Sequence, residues 1–552
     1  MRFEEKLKKR KSEKLWNEYC GFLDLDINAY MNIQNRLMEE QLGLWSKSEI
    51  GKQMLKGKKN VSIESFRSSM PLTSYGDYAN VLLQKKAEML PDQPLLWIQT
   101  TWEGGKQPIK LAPYTKGMLD TYRNNTMACL MLSTSREKGQ FDVSASDTIL
   151  YGLAPLPYAT GLLPLVLNEE IDIEFLPPVK EAEKMSFSER NKKGFKLGLK
   201  KNIDYFFGLG SVTYFISLSL SKMNSSNNKN NSDDEINKLF EKYSFSMIRR
   251  YLLAKIRCKN ENRDIKPKDL FKLKGFMVAG TDNECYKDDL EDLWGIRPME
   301  IFAGTEPTCI GTETWTRDGM YFFPDACFYE FIPEQEMNRS LSDPAYQPKT
   351  CLMSEVREGE KYELVVSVLK GGAFMRYRVG DVYRCVGLKS IEDQTKIPRF
   401  KYLDRVPTII DIAGFTRISE HSIGTAIHLS GIDIKEWFAV KEYTENNRPF
   451  LHLYVEMSSQ SLVNHAVSRD IIKEHLTVYF KYVDQDYKDL KKILGIDPLE
   501  ITILKCGTFE NFKRKTGKSV RRINPLAHQI REILSLEKQN HIIQVNFGGY
   551  NE

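Results

Sequence analysis

The chain of 552 residues is too long for a single hydrophobic core, and its 41% hydrophobic and 28% charged content excludes a disordered or fibrous class. Its 79 basic and 74 acidic side chains nearly cancel to +5; part of the excess sits at Arg2, Lys6, Lys8, Lys9, Arg10, Lys11 and Lys14, which read as a solvated helix face and not as a nucleic-acid patch. The nine cysteines form no CxxC and no tight cluster, as expected of reduced thiols in a cytoplasmic protein, and all seven histidines fall at or after His421, which excludes a zinc site or a Ser-His-Asp triad upstream.

In chain order, no apolar core of signal-peptide length follows the charged start. Helical periodicity runs from Leu15 to Leu23 and from Tyr30 to Leu44; Pro71 stops one element, and Thr73 or Ser74 can cap the next. From Leu95 onward, short apolar strands alternate with Gly and Pro turns and with helices such as Tyr114 to Leu132, a layout that predicts an α/β fold. The uncharged run Tyr205 to Ser221 is slightly short and too polar for a bilayer, so it reads as a buried strand and helix with no membrane span. Ser221 to Glu235, almost free of apolar groups, is expected to be a surface loop. One strand-rich block gives way to another around Arg399 to Gly414. A hinge at 405–414 is therefore expected between an N-terminal domain of residues 1–404 and a mobile C-terminal α/β domain of residues 415–552. The latter holds a hairpin (Ile434 to Val440, Phe450 to Met457), an amphipathic helix region (Arg469 to Leu494) and a strand (Glu500 to Lys505).

Three segments carry chemistry. Gln99 to Thr115 sets hydroxyls, Gly104-Gly105, Lys106 and Lys110 between a strand and a helix, which suits a phosphate-holding loop as well as an ordinary turn. Met299 to Pro307 runs an apolar strand into Gly304, Thr305 and Glu306, either a ligand-binding strand end or a capped turn. In Lys361 to Val382, a β-run, a glycine turn and a short second strand end on Asp381 after Gly380. There Asp381 either serves a ligand or pairs with Arg376 or Arg378.

Taken in order, these segments resemble the acyl acid amido synthetases of the auxin-responsive promoter family, members of the adenylate-forming superfamily with the firefly-luciferase-like fold. The resemblance is supported by Pro71-Leu72-Thr73-Ser74-Tyr75-Gly76-Asp77-Tyr78, by Tyr329-Glu330-Phe331-Ile332-Pro333, by Tyr377-Arg378-Val379-Gly380-Asp381 and by Gly507-Thr508-Phe509. It implies a large N-terminal adenylate-forming domain of mixed sheets, helices and a β-barrel-like subdomain, plus a small C-terminal α/β domain. It also implies an ATP- and Mg²⁺-dependent ligase that makes an acyl adenylate from a carboxylic acid and passes the acyl group to an amine or amino acid.

By this resemblance Phe302 stacks on adenine, Thr305 bonds the α-phosphate, Glu306 lies at Mg²⁺ and Asp381 accepts from the ribose hydroxyls. Thr100, Thr101, Lys110 and Arg405 join the nucleotide site, Glu420 matches the acid after the Gly414 turn, and Lys518 is the position nearest the superfamily's late catalytic lysine. Two departures stand out. Trp102 and Glu103 occupy positions where the family has small, hydroxyl-bearing residues, and Gly414-Phe415-Thr416 replaces Gly-Glu-Lys. A carboxylate against phosphate oxygens is repelled by roughly 1 kcal/mol or more at intermediate dielectric. The rival readings are a non-catalytic nucleotide- or acyl-binding relative and an acyl-CoA ligase.

Overall fold

The computed structural model describes every residue except 58–60, 101–108, 152, 226–243, 415, 459–464, 484–496 and 546–552. The described residues divide between Asp404 and Arg405 into two compact units.

In the first unit, the helix Ile27–Trp45 starts where the Asp26 carboxylate accepts from the Ala29 amide, and it buries Tyr30, Gln34, Leu37, Met38, Gln41, Leu42 and Trp45 at helical spacing. Strands β1 (Pro94–Gln99) and β2 (Leu111–Thr115) form an antiparallel pair. Thr115 then caps the helix Lys116–Thr134, which is buried over most of its length.

The main sheet comprises β3 (Thr148–Tyr151), β4 (Glu174–Leu176), β5 (Tyr205–Leu209), β6 (Gly275–Ala279), β7 (Met299–Gly304), β8 (Thr308–Thr312) and β9 (Tyr321–Phe322), in the order β4-β3-β5-β6-β7-β8-β9. From β4 to β7 neighbours are parallel, and β8 and β9 are antiparallel additions. The parallel strands β5 and β6 read as continuous apolar runs because helices cover both faces of such sheets. The Tyr205 to Ser221 run is thus a strand followed by the helix Gly210–Ser225. That helix carries Ser221 to Ser225, which corrects the start of the expected surface loop; residues 226–235 lie outside the described residues.

A second sheet joins β10 (Cys327–Pro333), β11 (Cys351–Leu352), β12 (Lys361–Val368), β13 (Tyr377–Gly387) and β14 (Arg399–Arg405) in the order β11-β10-β12-β13-β14. Pairing is antiparallel between β10 and β11, β10 and β12, and β12 and β13, and the edge strand β14 of this sheet is tied to the segment before β9 through the Met320–Phe400 bridge. Its second hairpin strand is not short: β13 runs eleven residues through Asp381 to Gly387.

The second unit opens with the hairpin of β15 (Ile409–Ile412) and β16 (Thr416–Ser419) and the helix Glu420–Ser430. Strands β17 (Ile434–Tyr443) and β18 (Pro449–Met457) are antiparallel, and β19 (Leu499–Leu504) lies parallel to β18. Alternation along β17 sends Trp437 and Ala439 into one apolar cluster and Phe438 into another, as the two-residue period of a strand requires. The helix read from Arg469 runs from His465 to Val483. Among the described residues no helix is long and apolar enough to cross a membrane.

Candidate active site

The turn between β7 and β8 holds Thr305, Glu306 and Pro307, with Gly304 paired to Thr308. Glycine is needed at 304 because a Cβ there would meet the Pro307 ring at 2.9 Å. The turn is held from outside by the Tyr114 hydroxyl, which donates to the carbonyls of Gly304 (3.3 Å) and Thr305 (2.9 Å). Burial pushes the Tyr114 phenol well above its ordinary range, so it remains a donor at neutral pH. Thr305 and Glu306 are both buried, at 9% and 7% exposure.

Two donors converge on one oxygen of Glu306. The Tyr377 hydroxyl, at the start of β13, donates to Oε1 at 2.7 Å, and the Lys110 ammonium, just before β2, lies 3.3 Å from the same atom. Neither bond uses Oε2. Both donors are positioned by the Pro71 to Tyr78 segment. The Tyr75 hydroxyl accepts from the Leu111 amide (2.6 Å) and donates to the Leu111 carbonyl (3.2 Å), beside Lys110. Lys110 also lies 5.7 Å from the centre of the Tyr75 ring, within cation–π range. Thr73 pairs with β13 through Thr73 N to Arg376 O and Arg378 N to Thr73 O, both 2.9 Å, and Tyr78 accepts from the Met375 amide at 2.9 Å. Thr100 sits at the base of the first expected loop, its amide 3.0 Å from the Lys110 carbonyl. Thr101, Trp102, Glu103, Gly104, Gly105 and Lys106 lie outside the described residues.

Asp381 is placed by a bulge. Val365 pairs with Arg378 and Glu363 with Val382, so Val379, Gly380 and Asp381 stand against Leu364 alone. Gly380 takes a φ of +84°, a left-handed value open to glycine at little cost. The buried Asp381 carboxylate accepts from the Tyr402 hydroxyl on β14 at 3.3 Å. The ion-pair alternative is answered by the arginines themselves. Arg376 forks onto Glu330 (3.0 and 3.1 Å), and Arg378 forks onto Glu363 (2.6 and 2.7 Å). Phe302 stacks with Tyr402 at 6.4 Å between ring centres and meets Tyr383 edge-on at 5.7 Å. Phe302 and Asp381 therefore share Tyr402 as a neighbour.

The remaining expected residues belong to the second unit. Arg405 lies 3.9 Å from the fully buried Asp411, which also takes Arg417 at 3.2 Å and the Gly414 amide at 2.9 Å. Glu420 starts a helix and pairs with Arg522 at 3.4 Å. Lys518 is exposed, with its amide on Thr516 Oγ1 at 3.3 Å. Phe415 lies outside the described residues.

The first unit thus assembles Lys110, Thr305 and Glu306 at one strand end and Phe302 and Asp381 around Tyr402. Reasoning from sequence missed Tyr75, Tyr114, Tyr377 and Tyr402 as site residues. Tyr75 and Tyr377 stood inside quoted motifs, whereas Tyr114 and Tyr402 carried no local signal.

Residues 320–405, which include β10 to β14, match the GH3 family central domain. A jasmonoyl-L-amino acid synthetase of Nicotiana attenuata, JAR4, is 29% identical over 193 residues, which is 34% of this chain and 30% of that protein. The indole-3-acetic acid-amido synthetase GH3.4 of Arabidopsis thaliana is 25% identical over 264 residues, 44% of this chain and 42% of that protein. The chain spans less than half the length of these curated relatives. In structure, the likeness to the acyl acid amido synthetase AtGH3.15 in complex with 2,4-DB covers 96% of this chain and 97% of that one, with a TM-score of 0.53 and 16% identity. A 2-hydroxyisobutyryl-CoA ligase in complex with 2-HIB-AMP and CoA gives 0.53 as well, at 14% identity over 93% of this chain and 92% of the other. The fold is that shared with these two solved enzymes, and the family match lies at residues 320–405.

Proposed function

We propose that the chain activates a carboxylic acid with ATP and transfers the acyl group to an amine or amino acid, as a cytoplasmic acid–amine ligase. The observation that carries this reading is the convergence of Lys110 and Tyr377 on Glu306 at the turn after β7, in the unit that also sets Asp381 in a bulge beside Tyr402 and Phe302. Ligands of open α/β sheets bind at the carboxyl ends of parallel strands, and β7 is such a strand.

In the first half-reaction the substrate carboxylate attacks the α-phosphorus of ATP and pyrophosphate leaves. Such a step is helped chiefly by charge neutralisation and alignment. Thr305 donates its hydroxyl to an α-phosphate oxygen, and Lys110 with Thr100 faces the phosphates; Thr101, outside the described residues, is assigned to them by the family resemblance alone. Asp381 accepts from the ribose hydroxyls, and Phe302 with Tyr402 flanks the adenine. Mg²⁺ fits a site with one carboxylate, because that ion usually binds through one or two carboxylates plus substrate phosphates. Glu306 would hold it through Oε2, since both of its protein donors bond Oε1; bound there, the ion would offset phosphate charge.

In the second half-reaction the amine nitrogen attacks the acyl carbonyl carbon and AMP leaves. Residues 405–414 serve as the hinge about which the C-terminal unit changes position between the two steps, bringing Arg405 and Lys518 to their roles. The test is acid-dependent ATP–pyrophosphate exchange across a panel of carboxylic acids, followed by product analysis with amino acids, simple amines and coenzyme A. Exchange with amide formation supports the reading. Exchange followed only by thioester would make the chain a CoA ligase, and tight ATP binding without exchange on any acid would make it a non-catalytic binder.

A further inference from the structure

The helix Phe245–Asn260 (FSMIRRYLLAKIRCKN) already has a buried side: Met247, Ile248, Tyr251, Ala254 and Cys258 pack inward at helical spacing. The opposite side of such a helix is ordinarily polar. Here it carries Phe245, Leu252, Leu253 and Ile256, exposed by 80%, 48%, 58% and 62%. Residues 252, 253 and 256 are neighbours on a helix surface, and Phe245 lies two turns before Leu252, so the four form one stripe. A scattered exposed leucine needs no explanation, but a contiguous apolar stripe does.

The same helix has five basic residues and no acidic one. Two are spent internally, Arg250 on the Asn202 side chain and the Leu270 carbonyl, and Arg257 on Asp269. Arg249, Lys255 and Lys259 are exposed and make no ion pair among the described residues. The helix Phe187–Lys201 meets the start of this one where the Ser244 amide donates to the Leu199 carbonyl at 3.2 Å. That helix carries its own exposed Lys192, Lys196 and Lys200, four residues apart and likewise without ion pairs among the described residues.

We propose that the exposed face of the helix Phe245–Asn260 docks on an anionic lipid surface, with the four apolar side chains entering the headgroup boundary and the unpaired cations meeting lipid phosphates and carboxylates. Charge complementarity selects this occupant. A nucleic acid would use the cations but leave the apolar stripe wet, and a second copy would set the same cations against each other across a two-fold contact. Interfacial helices combine Lys and Arg with Phe and Leu in this way, sinking about 5–10 Å into the boundary.

The experiment is co-sedimentation of the full chain with vesicles of phosphatidylcholine alone and with about a third phosphatidylserine. Two double variants are compared, Leu253→Glu with Ile256→Glu and Arg249→Glu with Lys255→Glu. The expected result is pelleting on the anionic vesicles that weakens with salt, is slight on neutral ones, and falls about tenfold or more in each variant. Melting temperatures should stay at the wild-type value; if the apolar variant loses its fold, the charge-reversal variant, which removes no apolar side chain, decides alone. Absence of wild-type pelleting on anionic vesicles overturns the proposal, as does pelleting that neither variant reduces. A dimer that becomes monomeric in the apolar variant, with no vesicle binding by wild type, would assign the face to a second copy.

Discussion

Replacing Tyr377 by phenylalanine removes one oxygen and leaves the ring, which packs 4.9 Å from Phe374 and 6.3 Å from Tyr78 between centres. The main loss is a 2.7 Å hydrogen bond donated to a buried carboxylate, together with the weaker 3.4 Å bond that the hydroxyl accepts from the Lys110 ammonium. Hydrogen bonds to charged groups contribute about 1.5–3 kcal/mol. Glu306 is not orphaned, because Lys110 still approaches Oε1 at 3.3 Å, so only part of this loss should reach the melting temperature. If the bond aims Oε2, the rest reaches the reaction, and adenylate formation slows by about 10- to 100-fold. Single-turnover pyrophosphate release at saturating acid and ATP reads that rate directly. Lys110→Met removes the other donor, and because both donors serve one atom, the double variant should lose more than the two single losses combined. A wild-type rate in Tyr377→Phe, or strict additivity in the double variant, would refute the idea that the shared oxygen is how Glu306 is aimed.

Asp381→Ala should weaken ATP binding by calorimetry while sparing the melting temperature, because Arg376 and Arg378 are already paired with Glu330 and Glu363; a large melting loss with unchanged affinity would make Asp381 a structural residue. Thr305→Ala should slow adenylate formation by one to two powers of ten, about 1.5–3 kcal/mol, and an unchanged single-turnover rate removes Thr305 from the site. Burial opposes ionisation of Asp269, but the bonds from Arg263 and the Lys266 amide outweigh it and hold this carboxyl well below the usual range. Its stabilisation is therefore present above the unfolded value of about 3.9 and is lost as pH falls through the lower folded value. The melting-temperature gap between wild type and Asp269→Asn should narrow as the solution is acidified below about pH 4, and a gap independent of pH would contradict this. Glu103→Thr, outside the described residues, should tighten MgATP binding by calorimetry at low salt; equal or weaker binding would separate that position from the phosphates.

The parts of the site that were legible in the sequence are those written in consecutive residues. Gly304-Thr305-Glu306 follows an apolar strand, and Gly380 before Asp381 marks a bend, because glycine inside a strand pattern signals a bulge or a close approach. Reading that bend as the end of a short strand went wrong because a bulge consumes residues without ending the ladder, and the pairing resumes at Val382. Tyr402 and Tyr114 were not legible. Each sits in an ordinary strand, and its role is a bond to a residue 21 positions away in one case and 191 in the other. Periodicity reports which face of an element is buried and carries no information about its partner. The low-complexity run misled at its start for a related reason: Met223 is the one apolar residue from Ser221 to Ser225, yet these residues continue the helix Gly210–Ser225, whose apolar residues lie mostly upstream.

The Pro71 to Tyr78 segment shows how distant residues can be brought to one atom without touching it. Tyr75 fixes the backbone at Leu111, one residue beyond Lys110, with two bonds to a single phenol. Thr73 and Tyr78 fix the backbone at Met375, Arg376 and Arg378, on either side of Tyr377. Lys110 and Tyr377 are 267 residues apart in the chain, yet each is adjacent to a backbone clamp supplied by the same eight residues. Loosening either clamp would move one donor relative to the other, and because both end on Glu306 Oε1, the displacement would be felt at the carboxylate. The segment holds no group that bonds Glu306, so its conspicuous Thr, Tyr and Tyr are explained by what they hold in place. A substitution such as Tyr75→Phe should therefore weaken the site through geometry, disturbing Lys110 while leaving Tyr377 in position.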